Sequence, residues 1–169
     1  MRLLDKLYAA GAVLAAVFLV LIAALTLSQV IGRMIGLLIP DAGDLAGYAM
    51  AAATFLALAH TFRSGGHIRV NLLLIHMPRP LRHALECWCL ILLAVLGGLF
   101  TAFSVMMVVE SFTLGDVSTG MMPIPLWIPQ SSMALGALLF ELAVIEETVR
   151  VLRGAEPRYE RTEGEAFTE

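Results

Sequence analysis

Charge is what this sequence has least of. Asp, Glu, Lys and Arg make up 15% of 169 residues, where soluble domains average about 25%. Hydrophobic residues reach 59%, against about 45–50% in soluble domains. Both departures mark a membrane protein. Cysteine is nearly absent: Cys87 and Cys89 stand two positions apart, so on a helix they point away from each other and do not pair. They lack the spacing of a zinc site and are expected to act as small packing residues. The histidines, His60, His67, His76 and His83, all fall at or beyond the inner end of the second apolar run. They offer no facing pair for a haem. No nucleotide-binding loop, serine–histidine–acid arrangement or zinc motif occurs. No cofactor, metal or catalytic residue is therefore expected, and the chain alone is no ATP-driven pump. The basic residues are dispersed over short segments, which excludes a nucleic-acid-binding face.

What is present is a set of long apolar runs. A spanning helix needs about 20 largely apolar residues. Leu7 to Val30, Leu45 to Phe62, Cys87 to Val109 and Ile124 to Ile145 each qualify. The first run exceeds the roughly 7–15 residues of a signal-peptide core, so it is expected to stay as a span. The expected fold is an all-α integral membrane protein with four transmembrane helices. Residues 1–153 form the membrane domain and 154–169 a polar cytoplasmic tail.

Lys and Arg set the orientation. The N-terminus carries Arg2 and Lys6, the second connection Arg63, Arg69, Arg79 and Arg82, and the tail Arg150, Arg153, Arg158 and Arg161. The first connection has only Arg33 and the third has none. The alternation places both termini in the cytoplasm. On the outer side, Asp44 is expected to cap the second helix, and Trp127 to sit at the interface.

Few residues in the spans could carry chemistry. Glu141 alone could lie deep, between about 7 and 13 Å from the inner boundary. It admits two readings: a proton or cation site or partner hydrogen bond, and a carboxylate reaching toward the headgroups beside Glu146 and Glu147. The second reading or a partner contact is favoured. Ala49, Ala53 and Ala57 recur every four residues, a small-residue face that lets another helix approach; packing within the bundle is the favoured reading of it. Gly97 and Gly98 invite the same interpretation. After the second run, Arg63-Ser64-Gly65-Gly66-His67-Ile68-Arg69-Val70-Asn71 leads into Leu72-Leu73-Leu74-Ile75. Gly65 and Gly66 can end a helix. Arg69 suits an anionic leaflet or a partner carboxylate. Asn71 can cap a short interfacial helix that stops before Pro78 and Pro80. The segment is a basic elbow on the lipid bilayer, serving as an anchor or a partner contact.

These residues resemble a known family. Thr54-Phe55-Leu56, then Gly65-Gly66-His67-Ile68-Arg69-Val70, then Ile124-Pro125-Leu126-Trp127 look like the DctQ-like small membrane subunit of tripartite ATP-independent periplasmic (TRAP) transporters. Asn71 stands where an acidic residue is usual, and Asp44 near a common glutamate. The resemblance implies a bacterial inner-membrane subunit whose partners are a large membrane subunit and a periplasmic substrate-binding protein. It implies sodium-coupled uptake of an organic acid, with this chain as a non-catalytic scaffold. Subunit or membrane contacts would then fall at Gly65, Gly66, His67, Arg69, Ala49, Ala53, Ala57 and Glu141. The alternative class is a self-contained four-span carrier or membrane enzyme.

Overall fold

The structure, a computed structural model, describes residues 2–37, 39–64 and 78–154. Four helices follow in order: α1 (Arg2–Met34), α2 (Ala42–Arg63), α3 (Arg79–Leu114) and α4 (Trp127–Leu152). All four are long and apolar enough to cross a membrane. Among the described residues the only β-structure is one isolated bridge, Val117 to Pro125. The expected fold class holds. The interfacial helix expected between the second and third spans, with Gly65, Gly66, His67 and Arg69, lies outside the described residues, as does the tail beyond Gly154.

The helices overrun the apolar runs that announced them. α3 begins at Arg79, well before Cys87, because Pro80 in its first turn needs no intrahelical N–H partner. It ends at Gly115, whose φ of 69° suits the turn that caps a helix. α2 begins at Ala42, so Asp44 lies inside its first turn and does not cap it. Asp41 holds the N-cap position in a left-handed conformation, φ 54°, with no side-chain cap bond. The Asp44 expectation fails because the helix starts earlier than the apolar pattern suggests.

Packing follows a seven-residue rhythm. On α3, Leu90, Ser104 and Ser111 are buried and Gly97 half-buried, one every seven positions. On α4, Ala137, Val144 and Val151 are buried, and so are Ala134, Glu141 and Thr148. A strict seven-residue repeat keeps one face of a helix against its neighbour and implies left-handed supercoiled packing. One core joins all four helices: Tyr8 of α1, Ala59 and Phe62 of α2, Leu90 of α3, and Ala143, Val144 and Val151 of α4. Phe62 meets Phe140 edge-on, with ring centres 5.5 Å apart.

α2 and α4 form the close central pair. Gly136 of α4 lies against the α2 backbone, where a Cβ would stand 2.4 Å from the Phe55 carbonyl carbon. From the other side, a Cβ on Gly11 of α1 would stand 3.0 Å from the Leu56 carbonyl oxygen. Two glycines thus let α1 and α4 close on the same turn of α2. α3 packs along α4 and touches α2 through the stacked rings of Phe55 and Phe100.

Candidate interaction site

Three polar arrangements hold this bundle, one at each end and one in its interior. At the end near the N-terminus Arg63 closes α2. Its guanidinium bonds Asp5 of α1 at 2.5 Å, lies 3.9 Å from Glu146 of α4, and covers the Tyr8 ring at 4.7 Å from the ring centre. A planar, always charged fork is suited to bridging several groups at once. Asp5 is half exposed, so that pair is weak by itself. The arrangement marks one level of the membrane, because Asp5, Arg63 and Glu146 come from three helices. On α3, the Arg82 Nε donates to Glu86 one turn along at 3.1 Å.

Glu141 is buried, 8% exposed. It lies five residues, about 7–8 Å, from the level of Glu146. Its carboxylate packs into the notch left by Gly97 and Gly98 of α3, where a Cβ on Gly97 would stand 2.3 Å from Oε2. The glycine pair therefore admits a side chain, not a helix backbone. Oε2 finds no hydrogen-bond partner among the described residues, and neither does Oγ1 of Thr101 further along α3. The buried Tyr8 hydroxyl of α1 is likewise without a partner among the described residues, whereas several other hydroxyls of the spans are occupied by their own helices. Thr26, Thr54, Thr61, Ser104 and Thr148 each donate to the carbonyl four residues back, which is how hydroxyls are satisfied in hydrocarbon.

At the opposite end of the bundle, Asp41 grips the connection between α3 and α4. Its Oδ1 accepts from the Met121 amide at 3.0 Å, and its Oδ2 from the Met122 amide. Gly120 leaves room for it: a Cβ there would stand 2.8 Å from Oδ1. The connection is itself a small hairpin. The Ser118 amide donates to the Ile124 carbonyl at 2.8 Å, and the Leu126 amide to the Asp116 carbonyl at 3.0 Å. The Ser118 hydroxyl accepts from the Ile124 amide at 3.0 Å. Phe112 and Trp127 meet edge-on beside it.

The residues singled out in the sequence are distributed as follows. Ala49 and Ala53 are buried within the chain and Ala57 is half-buried, packed beside Ala15, Ala52 and Leu56. Glu141 is in the α3–α4 seam. Cys87 and Cys89 are free thiols, the second exposed. Among the described residues no cluster of His, Cys, Asp or Glu could hold a metal ion. Sequence reasoning missed Gly136 and Gly11, the Arg63 junction and the Asp41 grip. The glycines carried a readable signal, a small residue four positions from another within an apolar run: Gly11 with Ala15, and Gly136 with Ser132. The grip carried none, because it joins residues 80 positions apart.

Four helices long and apolar enough to span a membrane, with large apolar faces left open, define a multi-pass membrane protein. Residues 22–154 match the family described as tripartite ATP-independent periplasmic transporters, DctQ component. The match covers most of the chain, and the chain belongs to this family. It is the small membrane component of a TRAP transporter. No match is found among curated proteins or among solved structures.

Proposed function

We propose that this chain is a non-catalytic scaffold of the bacterial inner membrane, with both termini in the cytoplasm. It steadies the large membrane subunit during sodium-coupled uptake of an organic acid delivered by a periplasmic binding protein. The observation that carries this reading is where the polar groups go. Moving a carboxylate through hydrocarbon requires positive or hydrogen-bonding groups converging on its path. Here the hydroxyls of Thr61, Ser104 and Thr148 bond their own backbones, and the carboxylate of Glu141 is packed against glycines. The outer faces of α1 and α3 are apolar instead: Val13, Val17 and Val20 on one, Val95, Leu99 and Phe103 on the other. Such faces suit lipid and a neighbouring helical subunit. Arg69 and the Gly65–His67 elbow belong to this proposal as a contact at the cytoplasmic border.

Reconstitution in liposomes with a sodium gradient tests the role. The large subunit and binding protein without this chain transport poorly, and this chain alone transports nothing. Exchange for a small subunit from a system of different specificity leaves the substrate range unchanged. A substrate range that follows the exchanged subunit would sink the scaffold reading. The orientation is checked separately: a cysteine at Asp116 reacts with an impermeant thiol reagent added from outside, and one at Arg79 does not.

A further inference from the structure

On three of the four helices charge begins at one level, where Asp5 of α1, Arg63 of α2 and Glu146 of α4 come together. α3 is the exception. Phe112 lies beside Trp127 and Gly97 beside Glu141, so α3 runs antiparallel to α4. Counting along α4 from Glu141 to Glu146 puts that level near Leu92 on α3 at equal rise. An open apolar stripe nevertheless continues past it. Leu81, Trp88, Leu92, Val95, Leu99 and Met106 are 48, 64, 46, 55, 52 and 55% exposed, and their helical spacing holds them on one side of α3. Along the axis Trp88 stands about 6 Å and Leu81 about 16 Å beyond the level of Arg63.

The side of α3 opposite Trp88 is polar over the same turns: Arg82 donates to Glu86 along it, and His83 is exposed. The start of α3 is therefore amphipathic. Such a segment suits the headgroup layer, which adds about 5–8 Å on each face of the hydrocarbon core. An indole ring is favoured there, having an apolar body and a polar N–H. Upright, α3 would carry Leu81 through that layer into water. A helix longer than the core tilts instead, and α3 has 36 residues, about 54 Å. Three observations favour lipid over protein as the cover. The stripe passes without a change of character into Val95 and Leu99, on the open face of the span. Large side chains line it, whereas close helix contacts in a bilayer use small ones. Arg79 and Arg82 stand in its first turns, where they complement anionic headgroups.

We propose that the first turns of α3, from Arg79 to Leu92, dock on a lipid surface, lying tilted in the headgroup layer of an anionic leaflet with Leu81 and Trp88 toward the acyl chains. This rests on the cytoplasmic placement of that end given under the proposed function, because the cytoplasmic leaflet is the anionic one. The contact sets the depth and tilt of α3, the edge helix, which otherwise packs along α4 alone apart from the Phe55–Phe100 ring contact. A scaffold held at a fixed depth presents its flanks to a neighbour at a fixed height.

The chain has two tryptophans, Trp88 and Trp127, so Trp127→Phe leaves Trp88 as the sole indole. The test places this variant of the whole chain in vesicles of phosphatidylethanolamine and phosphatidylglycerol. The quenchers are phospholipids brominated either near the glycerol or near the chain end, and acrylamide in the water. Shallow bromines are expected to quench Trp88 at least about twofold more than deep ones, and acrylamide at least about threefold less than it quenches free N-acetyltryptophanamide. Replacing phosphatidylglycerol by phosphatidylcholine raises acrylamide quenching about twofold, as the attraction to Arg79 and Arg82 is lost. Leu81→Glu raises it as well, with helix content by circular dichroism unchanged, and Leu81→Met does not. Acrylamide quenching equal to that of the free indole overturns the proposal. So does stronger quenching by deep bromines, which puts Trp88 inside the hydrocarbon. A spin label carried by Leu81→Cys, with Cys87→Ser and Cys89→Ser, is then followed in nanodiscs with and without the large subunit. Its collisions with dissolved oxygen are expected to stay the same. Their loss when the large subunit is present overturns the proposal by assigning the stripe to a subunit contact. A chain that never co-purifies with a large subunit sinks the proposed function alone, because the quenching is measured without it.

Discussion

The inner and outer pairs of helices solve different problems. α2 and α4 have 22 and 26 residues, and 33% and 28% of their most apolar stretches are buried inside the chain. α1 and α3 have 33 and 36 residues, with 11% and 17% buried. The central pair meets closely at alanine and glycine, with the Phe62–Phe140 ring contact and Arg63 beside Glu146 nearer one end. The flanking pair presents valine, leucine and phenylalanine outward. Lipid tails are as apolar as leucine, so no hydrophobic force drives helices together in a bilayer; close packing and hydrogen bonds do. Small residues therefore belong where helices meet and large ones where they do not, the reverse of a water-soluble core. The flanking helices are also longer than a bilayer requires, so their ends are available to groups outside the hydrocarbon.

The largest test of this contrast is Gly136→Ala. A methyl group there would stand 2.4 Å from the Phe55 carbonyl carbon, with backbone nitrogen of Leu56 at 2.8 Å. Backbone cannot step aside as a side chain can. The expected cost is about 1–3 kcal/mol or more, read as a lower unfolding temperature in detergent and a lower yield of monodisperse protein. Leu96→Ala on the open face of α3, 56% exposed, should change stability by less than about 0.5 kcal/mol. Equal effects at both positions would erase the distinction between central and flanking helices.

Arg63→Gln should come next. It removes the bridge to Asp5 and Glu146 and the cover over Tyr8. With Asp5 half exposed, the loss is roughly 1–2 kcal/mol. Arg63→Lys should recover only part of it, because an ammonium cannot serve all three positions at once. Thermal unfolding of the three proteins compared at low and high salt gives the ranking. A lysine variant as stable as the wild type would show that a point charge at the lipid border is enough.

The smallest effect falls on the α3–α4 seam. Gly97→Ala brings a methyl against the end of the Glu141 side chain, which can move, so about 1 kcal/mol is expected. Combined with Glu141→Ala, the penalty should shrink, and a double-mutant cycle measures the coupling. Glu141→Gln should leave the sodium dependence of uptake unchanged. A sodium site needs several converging oxygens and usually broken helices at the membrane midplane, and α4 is continuous through this region. A changed sodium stoichiometry in that variant would refute the packing role.

Much of the architecture was legible in the chain itself. Four apolar runs, each about 20 residues or longer, fix four spans, because unsatisfied backbone in hydrocarbon leaves a single chain few options but helices. The runs did not show where the helices end. Helix continues past the lipid boundary whenever the next residues tolerate it, as Arg79 to Glu86 do. Ala49 and Ala53 were readable as a contact face, but with every side of α2 apolar, nothing local said which helix would meet it. Gly97 and Gly98 were readable as a gap, though not as a gap filled by Glu141. The sequence by itself determined the solvent, the number of spans and the residues small enough for close approach, since these depend on side-chain size and polarity alone. Only the tertiary structure decided which helices pair, that Arg63 joins three of them, and that Asp41 holds the Met121–Met122 turn. Those contacts depend on groups distant in the chain arriving at one level of the membrane, which composition and spacing do not encode.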